Sequence, residues 1–175
     1  MRMHAPAKLS LWLMPEGEVH DRLADLIERL ASRLGTVPFA PHVTLIGALS
    51  VSEGQVMDAT RGLADALAPV SVNLERVEAS DQYFQCLYVR VHVSEALRKS
   101  HTFAARQLLT DAPSDYLPHL SLVYGKLEPC TSAGLVRELE TKLWGSFEAR
   151  RIHVWRTEGS VRDWRDLGAF TLAGL

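Results

Sequence analysis

The spacing of apolar and polar positions changes period many times along this chain, and the changes lay out its elements. Leu9-Ser-Leu-Trp-Leu-Met14 predicts a first strand. Val19, Leu23, Leu26, Ile27, Leu30 and Leu34 then fall on one helical stripe, with Gly35 as the stop. Period-two alternation returns over 42–49. Ser52 and Gln55 have the spacing of a capping box for a second helix, which carries Val56, Ala59, Leu63 and Leu67 and ends before Pro69. Val70 to Ala79 and Tyr83 to Val93 predict two strands joined by a turn at Ser80-Asp81, with Phe84, Cys86, Tyr88 and Arg90 sharing one face of the second. A third helix is expected over 95–110, with Ser94 as N-cap and His101 on its apolar face beside Leu97, Ala104 and Leu108. The loop Asp111-Ala-Pro-Ser-Asp115 leads to another strand, which ends at Tyr124-Gly125. Leu135, Leu139 and Leu143 place a fourth helix over 132–144, stopped by Gly145, and strands over Phe147–Thr157 and Asp163–Leu172 complete the chain.

The unit helix, strand, helix, strand, strand thus occurs twice. It predicts an α+β protein of two lobes, each an antiparallel sheet with flanking helices, related by a pseudo-twofold about a central cleft. All 175 residues fit one such domain, without a long linker.

The strand between the two helices of each unit carries matching residues. Phe39-Ala-Pro-His-Val-Thr-Leu-Ile46 and Tyr116-Leu-Pro-His-Leu-Ser-Leu-Val123 share an aromatic, a proline, a histidine, an aliphatic and a hydroxyl in the same order. Residues i and i+2 of a strand share a face, so His42 and Thr44 point one way, and His119 and Ser121 do the same in the second copy. With seven histidines in the chain, one His-x-Ser/Thr is expected by chance. A third occurs at His92-Val-Ser94, without the preceding aromatic-x-Pro, and reads as an ordinary strand histidine before a cap. The longer shared pattern sets His42 and His119 apart. His101 reads as a core histidine.

Two imidazoles and two hydroxyls on rigid strands suit acid–base chemistry at a phosphoryl group. Imidazole titrates close to working pH, so one ring can take a proton from water while the other gives one to a departing oxygen. Roughly in-line attack needs the two on opposite sides of phosphorus, and the hydroxyls of Thr44 and Ser121 can donate to oxygens that gain charge. The near-identical motifs leave the division of labour open. The working assignment has His119 activating water and His42 protonating the leaving oxygen.

Composition narrows the alternatives. A net charge of −2 gives no general basic excess, so a long nucleic acid is not expected as partner. No apolar run is long enough to span a bilayer, and the N-terminal stretch lacks a cleavage-site pattern, so a cytoplasmic protein is expected. Cys86 and Cys130 make no disulfide framework and read as apolar filler. No carboxylate accompanies either histidine motif, so neither a metal nor another cofactor is expected. Phe84 could stack on a base or pack between strand and helix, and Trp12 could fill the core or floor the cleft. The arginines at 150, 151, 156, 162 and 165, mixed with acids, read as a solvated surface.

The paired His-x-Thr and His-x-Ser segments resemble those of the 2H phosphoesterase superfamily. Ser10-Leu-Trp-Leu-Met-Pro15, Tyr83-Phe-Gln-Cys-Leu-Tyr88, the Tyr-Gly that follows the second motif and the Trp-rich tail narrow the resemblance to the cyclic phosphodiesterases acting on nucleoside 2′,3′-cyclic phosphates and ADP-ribose 1″,2″-cyclic phosphate. The resemblance implies His42 and His119 as the catalytic pair, phosphate binding by Thr44 and Ser121, substrate contact by Tyr124, and cleavage at the 3′ oxygen to leave a 2′-phosphate. It implies a small cyclic nucleotide or ADP-ribose cyclic phosphate as partner, handled by a monomer. The extra cysteines that form disulfides in plant members are mostly missing here. An enzyme acting on RNA ends, by cyclic phosphate hydrolysis or 2′,5′ joining, and a nucleotide-binding module without turnover are the alternatives.

Overall fold

The computed structural model describes residues 8–108, 116–142 and 144–174. The expected loop at 111–115 and Leu143 lie outside them, Asp115 included. Eight strands, β1 (Leu9–Leu13), β2 (Val43–Leu49), β3 (Val70–Ala79), β4 (Leu87–Val91), β5 (His119–Val123), β6 (Ser146–Ala149), β7 (Arg151–Arg156) and β8 (Arg165–Thr171), alternate with four helices, α1 (Gly17–Leu34), α2 (Glu53–Ala66), α3 (Glu95–Gln107) and α4 (Pro129–Leu139).

Local signals set most boundaries. The α1 stripe buries Leu23, Leu26, Ile27 and Leu30, and Gly35 at φ 66° ends the helix with its N–H on the Ala31 carbonyl. The Ser52–Gln55 capping box forms in both directions, and Ser94 Oγ accepts from the Leu97 N–H. The fourth helix differs from its expected span. It starts at Pro129, whose missing N–H costs nothing at a first helical position, and its last residue is Leu139. Gly145 is left-handed, as a stop signal should be, but the chain reaches it only after a turn in which Lys142 N–H bonds to Leu139 O.

Two expected strands are also corrected. Tyr83–Gln85 is a single 3₁₀ turn, and strand pairing begins only at Leu87. Ser80 holds this turn by donating to Gln85 O at 2.7 Å and accepting from Gln82 N–H at 3.2 Å. Phe84 and Cys86 therefore do not share a strand face with Tyr88, and His92 falls just beyond β4. The segment from 147 to 157 is two strands. Phe147 and Ala149 are buried, then Ile152 and Val154, so the alternation slips phase at Arg150. Before the slip β6 pairs with β3; after it β7 pairs with β1.

The strands run as one antiparallel sheet in the order β6-β3-β4-β5-β2-β1-β7-β8. The two expected sheets are its halves, joined where β2 and β5 meet through the pair Val43–Leu120. Helices cross this joint: α1, which precedes β2, lies on β5, and α3, which precedes β5, lies on β2. Val43, Leu45, Leu120 and Leu122 are at most 1% exposed, so the helix-covered face is the core. The opposite face of the same two strands carries His42, Thr44, His119 and Ser121.

Candidate active site

The site follows from register. Antiparallel pairing about Val43–Leu120 sets His42 across from Ser121 and Thr44 across from His119, all on the face away from the helices. All four line one cleft of about 530 Å³, with Phe84, Tyr124, Trp12 and Trp164 around them. The structure thus brings together every residue singled out for the site. Trp12 forms part of the cleft wall although it is 2% exposed, and Phe84 stands open at 54% on its 3₁₀ turn instead of packing inward.

The repeated x-Pro-His sequence makes the same local contact in both copies. His42 Nδ1 lies 2.7 Å from the carbonyl of Ala40, and His119 Nδ1 lies 3.0 Å from that of Leu117. A carbonyl only accepts, so each Nδ1 carries the proton and donates it, which leaves Nε2 as the basic nitrogen of the neutral ring. Tyr124 OH lies 3.4 Å from His42 Nε2, the long end of hydrogen bonding. Ser121 Oγ donates to Phe84 O at 2.8 Å, so an incoming anion competes with that carbonyl.

The two histidines differ in their surroundings. His42 is 5% exposed, face to face with Trp12 at 3.5 Å and edge-on to Phe39 at 6.2 Å. Burial pushes its pKa from 6.5 down to about 4; the bond to Ala40 opposes the shift and the charge of His119 adds to it. His119, less enclosed, is moved the same way by burial, against its bond to Leu117. Beside it is a water-sized hollow of about 30 Å³ lined by Glu78, Tyr88 and Arg90. Tyr88 donates to Glu78 at 2.9 Å, and Arg90 lies 3.5 Å from the same carboxylate. Burial also raises the Tyr124 hydroxyl, which stays protonated, its ring stacked on Phe39 at 3.7 Å.

Histidines outside the cleft have other duties. His101 is buried on the helix side, bonded to Leu45 O at 2.7 Å and stacked on Tyr116 at 3.8 Å. His92 is exposed, 3.3 Å from Glu75. Among the described residues, no group of three or more His, Cys, Asp or Glu side chains is placed to hold a metal ion. Nor is any described helix long and apolar enough to cross a membrane. Cys86 is buried and Cys130 exposed, both unpaired. In the tail, Arg150, Arg151 and Arg156 pair with Glu148, Glu16 and Glu53.

Sequence reasoning did not place Lys8, Ser10, Gly47, Ala48, Thr157, Glu158, Gly159 or Trp164 at the cleft, yet all line it. Ala48 has a positive φ of 57° in the bulge where β2 slips register against β1. No local signal in Gly47-Ala48 announces that bulge. Trp164 reaches the cleft only because β7 and β8 join the β1 edge.

Comparisons with known proteins place the chain in a family and a fold. Residues 7–172 match the family described as cyclic phosphodiesterase-like protein. The chain is 24% identical over 153 residues to a cyclic phosphodiesterase of Arabidopsis thaliana, covering 85% of this chain and 84% of that protein. It is 28% identical over 143 residues to a 2′,3′-cyclic-nucleotide 3′-phosphodiesterase of Phaeosphaeria nodorum, covering 72% and 73%. Among solved structures, a Thermus thermophilus protein, TT0787, superposes with a TM-score of 0.65 at 16% identity, over 95% of this chain and 98% of that one. The LigT protein of E. coli in complex with 3′-AMP gives 0.64 at 14%, with the same coverage. Both share the fold.

Proposed function

The chain belongs to the cyclic phosphodiesterase family and is an enzyme hydrolysing cyclic phosphodiesters, and from that premise we propose the substrate, the product and the residues that do the work. The substrate is a small five-membered cyclic phosphate, a nucleoside 2′,3′-cyclic phosphate or ADP-ribose 1″,2″-cyclic phosphate. The single observation that carries this reading is the cross-strand square of His42, Ser121, Thr44 and His119 in one cleft. It supports binding of one phosphorus between two imidazoles, with a hydroxyl beside each.

His119 takes a proton from water on its Nε2 while the water oxygen attacks phosphorus. The bond from phosphorus to one ring oxygen breaks, the 3′ oxygen in a nucleoside 2′,3′-cyclic phosphate, and His42 donates a proton to that oxygen. One water is consumed, and a 2′-phosphomonoester is released. His119 is the more exposed of the two rings and so the readier to meet water, while His42 is the more enclosed. Thr44 and Ser121 donate to the non-bridging oxygens, where charge accumulates. Because burial opposes a charged His42 in the empty cleft, the anionic phosphate itself must favour the imidazolium. Phe84 and Tyr124 receive the nucleoside portion. No step calls for a metal, and the enzyme works as a monomer in the cytoplasm.

The test is phosphorus NMR of wild-type protein and of His42→Ala and His119→Ala, each incubated with 2′,3′-cyclic AMP and with ADP-ribose 1″,2″-cyclic phosphate. Wild type should yield the 2′-monoester from 2′,3′-cyclic AMP and open the ring of the ADP-ribose substrate to a monoester, and each variant should be slower by roughly 10²–10⁴. Wild-type turnover in either variant would overturn the paired mechanism, and a 3′-monoester would overturn the assignment of the leaving oxygen.

A further inference from the structure

We propose that Trp12 is a positioning residue for this reaction: its indole face fixes the plane of the His42 ring and stabilises that ring when it carries the proton. The proposal rests on the reading of the cleft just given.

The rings of Trp12 and His42 are 3.5 Å apart and only 7° from parallel. Trp12 is itself held. It is 2% exposed, Trp155 stacks behind it at 4.4 Å and 22°, and Trp164 meets it edge-on at 5.8 Å. His42 is therefore fixed twice, at Nδ1 by the Ala40 carbonyl and across its face by the indole. Nε2 keeps a constant aim into the cleft. Among the described residues, His119 has the matching carbonyl bond but no such partner; Tyr88 meets it only edge-on, at 5.4 Å and 68°. The two motifs are alike in sequence and unlike in what backs them.

The face of an aromatic ring is electron-rich, so it attracts a cation more than a neutral ring. Whichever direction its proton moves, His42 passes through the imidazolium during turnover. The titratable groups facing it are His119 across the β2–β5 joint and the phenol of Tyr124. Lys8 and Glu158 line the same cleft, and on β7, across from Trp12, His153 is paired with Asp166. His119 disfavours a second positive charge and Tyr124 is neutral. Trp12 lies face-on to the His42 ring and favours its charged form without being charged itself. Such a contact changes the protonation constant by roughly 2- to 30-fold in a site withdrawn from water.

Trp12→Leu removes the indole, and Trp12→Phe keeps a smaller aromatic face. The His42 ring nitrogens are followed by NMR titration, with and without inorganic phosphate, and kcat and KM are measured against pH on 2′,3′-cyclic AMP. In the Leu variant, His42 should bind its proton roughly 2- to 30-fold more weakly, kcat should fall by a similar factor and KM should barely move. The Phe variant should lie between it and wild type. An unchanged His42 titration overturns the proposal, and so does a rise, which would mean that entry of water outweighs the lost ring. If Trp12→Leu does not fold, Trp12→Phe alone decides by the same titration. Wild-type protein that turns over no cyclic phosphodiester would sink the functional reading, while the titration would still judge the stack.

Discussion

Acid should destabilise this protein through His42, starting at a pH above the ordinary carboxylate range. The ring is 5% exposed, and burial moves its pKa from 6.5 down to about 4. Because the folded value lies below the unfolded one, the unfolded chain takes up this proton first. The stability that depends on a neutral His42 is complete above pH 6.5 and drains away as pH falls toward 4. The shift corresponds to about 3 kcal/mol over that window, a large share of the roughly 5–15 kcal/mol that holds a domain folded. Surface screening takes little from this, since the ring hardly meets solvent. His119 adds to the loss with the same sign. Glu78 and Asp163, whose pKa values are lowered in the fold, add their own loss from the ordinary carboxylate range downward. The assay is urea unfolding from pH 7 to 4, followed by tryptophan fluorescence in phosphate-free buffer, because a bound anion would hold the charged ring. His42→Phe keeps a ring against Trp12 and removes the titration. Its stability should fall with acid by about 3 kcal/mol less than wild type. Parallel curves for the two proteins would refute the reasoning.

Three further outcomes can be checked. The kcat/KM of wild type should follow a bell whose acid limb lies near pH 4 and whose alkaline limb lies below 6.5, because both histidines are moved down in the empty cleft; a maximum above pH 7 would contradict this. Thr44→Val and Ser121→Ala should each lower kcat by about 10²–10³ with a smaller change in KM, and steady-state kinetics showing the reverse split would remove them from transition-state stabilisation. Phe84→Ala should leave urea stability unchanged, because the ring is 54% exposed, and raise KM by roughly 5- to 150-fold if a base stacks there; unchanged KM would return Phe84 to the surface.

Much of this was legible because it is local. The capping box at Ser52–Gln55, the stop at Gly35 and the i, i+2 pairing of His with Thr or Ser need only a few adjacent residues. So does the shared face of the four site residues, once both segments are strands. Pairing between distant strands was not legible. One bridge at Val43–Leu120 decides that the halves form a single sheet, and no pattern within either strand announces it. The split at Arg150 was written in the phase of Phe147 and Ala149 against Ile152 and Val154, but a continuous strand was the simpler reading. The bulge at Gly47-Ala48 and the arrival of Trp155 and Trp164 beside Trp12 depend on β1 lying between β2 and β7. The candidate site residues could thus be found from the sequence, and the side chains that surround them could not.

A repeated motif would give two equal histidines if the flanking strands were equal as well. Each histidine-bearing strand has the other on its inner side, so any difference must come from its outer neighbour. For β2 that neighbour is β1, which sets Trp12 opposite Thr44. For β5 it is β4, which sets Tyr88 opposite Ser121 and Arg90 opposite His119. The first arrangement covers one face of His42 with indole. The second surrounds His119 with a phenol, a guanidinium and the carboxylate of Glu78 beside a water-sized hollow. Hydrolysis needs that asymmetry. One ring must meet a water molecule, and the other must keep its proton for the leaving oxygen, since a proton shared with bulk solvent is not reliably available there. Two symmetrical lobes could bind a phosphate; in the proposed mechanism the unlike outer strands let one ring serve water and the other the ester oxygen.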